Sequence, residues 1–154
     1  MAVNLSGISS GTRVTMIFTD ATASSTTTTS TTRMLTVQAG GNLILKAPAS
    51  GSFAGIALAQ HPNSLTGTSK TTANNVQGGG SVEITGIMYY PKQTLYITGA
   101  GTMSTNSPMF AVVADRVYVE GNGQLTIGQA SDSVAAGLPA LPSAGSVAGK
   151  VALR

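Results

Sequence analysis

Leu35-Thr36-Val37-Gln38-Ala39-Gly40-Gly41-Asn42-Leu43-Ile44-Leu45 and Val117-Tyr118-Val119-Glu120-Gly121-Asn122-Gly123-Gln124-Leu125-Thr126-Ile127 carry one pattern at one spacing. Each reads apolar-x-apolar, a small, glycine-containing corner, then apolar-x-apolar. Alternation of this kind buries one face of a strand, and the small residues let the backbone turn without a Cβ clash. The unit is therefore a strand, a sharp corner and a second strand. One such unit buries too little apolar surface to offset its ordering entropy, so neighbours must stack on it and share a core, which is the logic of a solenoid. A looser copy places Val82-Glu83-Ile84-Thr85-Gly86 thirteen residues before Leu95-Tyr96-Ile97-Thr98-Gly99.

Working outward, strand-like runs recur at Arg13–Phe18, Met34–Val37, Leu43–Leu45, Val82–Ile84, Leu95–Ile97, Val117–Val119 and Leu125–Ile127. Gly, Asn, Ala or Ser follows almost every one, so the chain turns after three to five residues instead of building the longer strands of a sandwich. The pattern predicts an all-β fold, a right-handed parallel β-helix (β-solenoid) of six to seven short rungs, formed by residues 1–154 as a single domain. Two stretches depart from it. Residues 20–32 (DATASSTTTTSTT) read as a polar Thr/Ser-rich loop, and residues 130–154, rich in Ala, Gly and Pro, read as an irregular C-terminal cap that runs extended over the open end.

Composition agrees with this class. The 154 residues are 42% hydrophobic but only 8% charged, against a typical charged share of about 25%, whereas helical bundles need charged outer faces. The net charge of +3 comes from residues scattered singly, with no basic run to neutralise a row of phosphates, which leaves nucleic-acid binding unsupported. No cysteine is present, so disulfides and thiolate metal sites are excluded. No window reaches the length of a spanning helix, and Met1–Gly7 lacks the basic start and apolar stretch of a signal peptide. The chain as given is expected to be soluble; export would depend on a segment upstream.

Little chemistry is available. The acids are Asp20, Glu83, Asp115, Glu120 and Asp132, and polysaccharide enzymes built on solenoids need several carboxylates on one face. Glu83 and Glu120 fall at outward positions as solvated carboxylates, and Asp115 beside Arg116 reads as a corner ion pair. His61 is the lone histidine, a loop or turn residue that cannot build a multi-histidine metal site. Gly78-Gly79-Gly80 lacks the Lys-Ser/Thr of a phosphate loop and serves entry into the strand at Val82. The Thr block is consecutive, so alternate residues would point inward if it were a strand, which argues against ice binding. No catalytic, cofactor or metal residue is assigned. Pro48 and Pro91 are expected to end strands, and Phe53, Tyr89, Tyr90 and Phe110 to stack between rungs. Tyr96 and Tyr118 alternate with inward residues, face out, and are the candidate binding residues.

Arg13-Val-Thr-Met-Ile-Phe, Leu45-Lys-Ala-Pro-Ala-Ser-Gly-Ser-Phe-Ala-Gly-Ile-Ala-Leu, Val82-Glu-Ile-Thr-Gly-Ile-Met-Tyr-Tyr-Pro-Lys, Leu95-Tyr-Ile-Thr-Gly and Val117-Tyr-Val-Glu-Gly-Asn-Gly-Gln-Leu together resemble the C-terminal β-rich region of TadE/TadG-like proteins of the tight-adherence (Flp) pilus system. The APASG and YYP stretches are the distinctive ones. The resemblance implies an exported, extracellular or envelope-located bacterial domain without catalytic residues, whose partners are proteins of a pilus or envelope assembly. Members usually carry an N-terminal membrane anchor, and some a von Willebrand A-like domain; this sequence contains neither.

The expected function is therefore a non-enzymatic structural or interaction domain aiding filament assembly or surface attachment, with self-association possible. The alternatives are a carbohydrate-binding or adhesin module using Tyr96 and Tyr118 on a surface glycan, and a β-helix polysaccharide lyase or hydrolase. A homotrimeric fibre could also use similar strands.

Overall fold

The computed structural model describes residues 3–5, 7–18, 35–61, 73–103, 109–128 and 132–140. In chain order the elements are β1 (Val3–Leu5), β2 (Ile8–Thr12), β3 (Met16–Phe18), β4 (Leu35–Val37), β5 (Asn42–Lys46), β6 (Ile56–Gln60), β7 (Asn74–Val76), β8 (Ser81–Ile97), β9 (Thr102–Met103), β10 (Phe110–Val119), β11 (Gln124–Leu125) and α1 (Asp132–Ala135). The fold is all-β apart from that one helical turn, and its sheet of parallel strands is strongly curled.

All the strand pairings described are parallel, and they sort the strands into three columns. The first stacks β1, β4, β7, Leu95–Ile97 of β8 and Val117–Val119 of β10. The second stacks β2, β5, Ser81–Thr85 of β8, β9 and β11. The third stacks β3, β6, the middle of β8 and Phe110–Ala114 of β10. Each column holds four or five levels, and the chain visits the columns in the same order on every pass.

The described strands make five passes, fewer than the six to seven expected. The cause is pass length. Val3 pairs with Leu35 and Val37 with Val76, offsets of 32 and 39 residues, whereas Val76 to Ile97 and Ile97 to Val119 are 21 and 22. The earlier passes carry long insertions between the third and first columns. The Thr/Ser-rich stretch expected as a loop, residues 20–32, sits in the first of these and lies outside the described residues.

The glycine corners that reveal the repeat in the sequence are stacked turns between the first and second columns. Gly41 N donates to Gln38 O, Gly80 N to Gln77 O, Gly101 N to Thr98 O and Gly123 N to Glu120 O, at 2.8, 2.9, 2.9 and 3.1 Å. The two copies legible in the sequence are thus joined by two more, around Gly78-Gly79-Gly80 and Gly99-Ala100-Gly101. The two halves of the looser copy occupy different columns and are not equivalent. Val82–Ile84 belongs to the second column and Leu95–Ile97 to the first, where its partner one pass away is Asn74–Val76.

Alternation places Leu35, Val37, Leu43, Leu45, Leu58, Val82, Ile84, Met88, Leu95, Ile97, Met103 and Phe110 in one continuous interior. Tyr90 and Phe110 join that core as expected, but Tyr89 and Phe53 are exposed. For Tyr89 the reason is parity: Met88 and Tyr90 point in, so Tyr89 between them points out. Phe53 lies in the loop between β5 and β6.

Strand β8 runs through all three columns in 17 residues. Its first bend falls at Gly86, at φ +133°, where a Cβ would sit 2.7 Å from Ala47 Cβ and 2.9 Å from Gly55 O; only glycine fits there. Pro91, expected to end a strand, sits inside β8. The ladder to β10 skips from Tyr90 to Thr94 at an irregularity, so no neighbour asks Pro91 for a donor. Pro48 does follow the end of β5, and its carbonyl accepts Gly55 N at 2.8 Å.

Of the segment expected as a cap, residues 132–140 are described. Their first turn is helical, and Ala136 and Leu138 are buried in the core cluster. A Cβ on Gly137 would stand 3.7 Å from Lys46 Nζ, and a Cβ on Gly55 would stand 3.9 Å from Pro139 Cδ, which puts this piece beside the second pass.

Candidate interaction surfaces

Tyr96 and Tyr118 are register partners on adjacent passes of the first column. Parallel neighbours lie about 4.8 Å apart, and both side chains leave on the outer side because Leu95, Ile97 and their partners Val117 and Val119 take the inner positions. The two rings meet edge to face, with centroids 6.4 Å apart and planes at 89°. The Tyr96 hydroxyl donates to Glu120 Oε2 at 2.9 Å. Both rings are half-buried, so each presents an edge to solvent while the pair holds itself in place.

The same outer row continues down the column through Asn75 and Thr36, both buried. Asn75 Nδ2 donates to Gln77 Oε1 at 2.8 Å. The row is therefore aromatic at its last two levels and amide or hydroxyl below, with one carboxylate at its upper corner. With Asn75 and Thr36 buried, the accessible part of the row is the tyrosine pair with Glu120, whose ring edges and carboxylate suit a polar ligand that also offers apolar faces.

The remaining candidates are distributed rather than gathered. Glu120, expected as a solvated carboxylate, is half-buried and bonded to Tyr96. Glu83 is half-buried on the second column. Asp115 Oδ2 lies 3.4 Å from Arg116 Nε in the expected corner pair, with both side chains well exposed, an arrangement that contributes little to stability. His61 follows β6, its side chain is exposed, and its N–H extends the ladder to Phe18 O at 2.8 Å. Asp20 lies outside the described residues, and of Asp132 only the backbone is described. Among the described residues no group of three or more His, Cys, Asp or Glu side chains converges, and no helix is long and apolar enough to cross a membrane.

A second surface escaped the sequence reading. On the fifth pass three interior positions are open while Leu125 still packs against the core: Val117, Val119 and Ile127 are 40%, 45% and 57% exposed, whereas Leu95 and Ile97 directly beneath the two valines are 1% and 0% exposed. The apolar-x-apolar pattern is the same on both passes, so pattern alone cannot separate a covered level from a terminal one. Counting the levels would have done so. On the third column, Ile17, Tyr89 and Val113 form an exposed outer apolar row around Ala59.

Comparison of the chain with protein-family models, with curated proteins and with solved structures found no match, the tight-adherence family included.

Proposed function

We propose that the chain is a right-handed parallel β-helix and acts without catalysis, as a structural and interaction domain of a cell-envelope or pilus-associated bacterial protein that aids filament assembly or surface attachment. The handedness follows from the rule that crossovers between parallel strands are right-handed. The observation that carries the interaction reading is the fifth pass. Its row of Val117, Val119 and Ile127 stands open to solvent at the end of the first two columns, and an exposed apolar sheet edge is a template for further pairing. The likeness of the APASG and YYP stretches to TadE/TadG-like sequences supplies the envelope setting and the protein partners.

The carboxylates fit the same reading. Glu120 is engaged by Tyr96 and Asp115 by Arg116, which leaves neither poised beside a second acid for general acid–base work.

A second reading, a glycan-binding or adhesin module, is favoured by the Tyr96–Tyr118 pair with Glu120 at its corner. Deleting the gene in its native host, then counting surface filaments by electron microscopy and assaying adhesion on the same cells, separates the two. Loss of filaments supports assembly; filaments that persist while adhesion falls support the binding module; no change in either removes the pilus setting.

A further inference from the structure

Between β2 and β3 the backbone makes a one-residue excursion. Thr12 pairs with Lys46, Val14 N returns to the ladder by donating to Lys46 O at 3.2 Å, and Arg13 between them sits at φ +60°. A residue with a Cβ is strained in that region, and glycine is the usual occupant. Strain of this kind clusters where a side chain is used. Positive φ alone does not decide the matter, since Ala100 has φ +62° at a glycine corner and carries no chemistry. What sets Arg13 apart is its setting. It lines an open cavity of about 420 Å³ together with Pro48, Ala49 and Ser50.

The far wall of that cavity is the loop between β5 and β6. The loop is braced by Gly55 N donating to Pro48 O and Ala54 N donating to Gly51 O, so its shape is held without the amides of Ala49 and Ser50. Those two amides donate to no backbone carbonyl among the described residues. Arg13 forms no ion pair with any described residue. Lys46, the register partner of Thr12, adds a second exposed cation beside this corner. The nearest carboxylate along the ladder is Glu83, which pairs with Ile44, one pass on and two residues before the partner of Lys46.

We propose that this corner is an oxyanion-binding site that takes a carboxylate or phosphate group carried by a ligand. The planar guanidinium of Arg13 presents parallel N–H donors that match two oxygens of such a group, and the Ser50 hydroxyl with the Ala49 and Ser50 amides supplies donors on the opposite wall. The proposal is independent of the assembly reading, because the site lies on the first two passes and the open edge on the fifth.

The test is titration of the full chain, followed by amide NMR, with inorganic phosphate, acetate and an oligomer of a uronic acid. Saturable shifts at Ala49 and Ser50 in the millimolar range or tighter are expected. Arg13→Gln should weaken binding by about tenfold or more, a loss typical of one bidentate contact. Arg13→Gly should abolish binding while the melting temperature holds or rises, because glycine relieves the backbone. Tighter binding of the oligomer than of acetate identifies a polymeric acidic ligand as the source of the group, and equal binding identifies a small free anion. No saturable shift in the wild type, undiminished binding by Arg13→Gln, or a lower melting temperature for Arg13→Gly would each overturn the proposal.

Discussion

Phe18 on the first pass and Tyr90 on the third meet edge to face in the interior, with ring centroids 5.8 Å apart and planes at 82°. The Tyr90 hydroxyl is buried and has no hydrogen-bond partner among the described residues, so the ring contributes apolar contact while its oxygen carries a desolvation cost. Tyr90→Phe keeps the ring and removes that cost. It is expected to raise stability by about 1 kcal/mol, read as a higher urea midpoint at unchanged slope.

The same burial pushes the Tyr90 phenol well above its ordinary value of 10.0. The folded chain therefore holds this proton more tightly than the unfolded chain. Its contribution is fully present below the unfolded value and is lost as pH rises through the folded one. Urea midpoints of the wild type should fall above about pH 10, and Tyr90→Phe should flatten that fall. An equal decline in both proteins would place the alkaline sensitivity elsewhere.

Core truncation should cost different amounts on adjacent levels. Ile97 is fully buried, and Ile97→Ala is expected to destabilise by about 2–5 kcal/mol. Val119, its register partner one pass on, is 45% exposed, and Val119→Ala should cost about 1 kcal/mol or less. Comparable losses in denaturant titrations would mean that the fifth pass is covered in solution.

Gly86→Val should be among the most damaging single changes, at about 3 kcal/mol or more. It combines an unfavourable φ with a Cβ 2.7 Å from Ala47 Cβ. Soluble expression and circular dichroism of this variant at wild-type level would contradict the placement of the β8 bend.

Tyr96→Phe removes the bond to Glu120 without removing the ring. On a half-exposed pair the stability loss should be about 1 kcal/mol or less. If the tyrosine row binds glycan, Tyr96→Ala and Tyr118→Ala should each abolish retention on a glycan array that the wild type shows, while circular dichroism stays unchanged.

Much of this architecture is legible in the residues for a specific reason. Two passes, Leu35–Leu45 and Val117–Ile127, keep their apolar, polar and glycine positions at one spacing, so the strand–corner–strand unit declares itself. Of the two passes between them, the third is disguised. Asn74 occupies an interior position where the pattern expects an aliphatic residue, and it is accommodated because its Oδ1 accepts Leu35 N at 2.9 Å. Polar interior residues of that kind hid β7 from a reading based on hydrophobic alternation. Residues Ile8–Thr12 were hidden for a related reason, since Ser9 and Gly11 pair with interior Leu43 and Leu45 and carry no apolar signal.

The outward direction of Tyr96 and Tyr118 followed from parity alone. Their contact, and the engagement of Glu120, did not, because the 22-residue offset that brings Tyr118 over Tyr96 depends on a turn length that no local pattern specifies. The Arg13 corner was illegible for a similar reason. An arginine opening an apparent strand looks ordinary until the backbone reverses its φ there, and its neighbour Ser50 is 37 residues away in sequence.

The stack itself is tested most directly by a three-dimensional NOESY spectrum of the isotopically labelled chain, in which inter-strand amide and Hα contacts report which residues are neighbours. Stacked parallel passes predict contacts of the parallel type linking Thr36 to Asn75, Asn75 to Tyr96 and Tyr96 to Tyr118. Close Hα–Hα contacts of antiparallel pairs along these strands, or the absence of contacts between Tyr96 and Tyr118, would contradict the stack and the surfaces built on it.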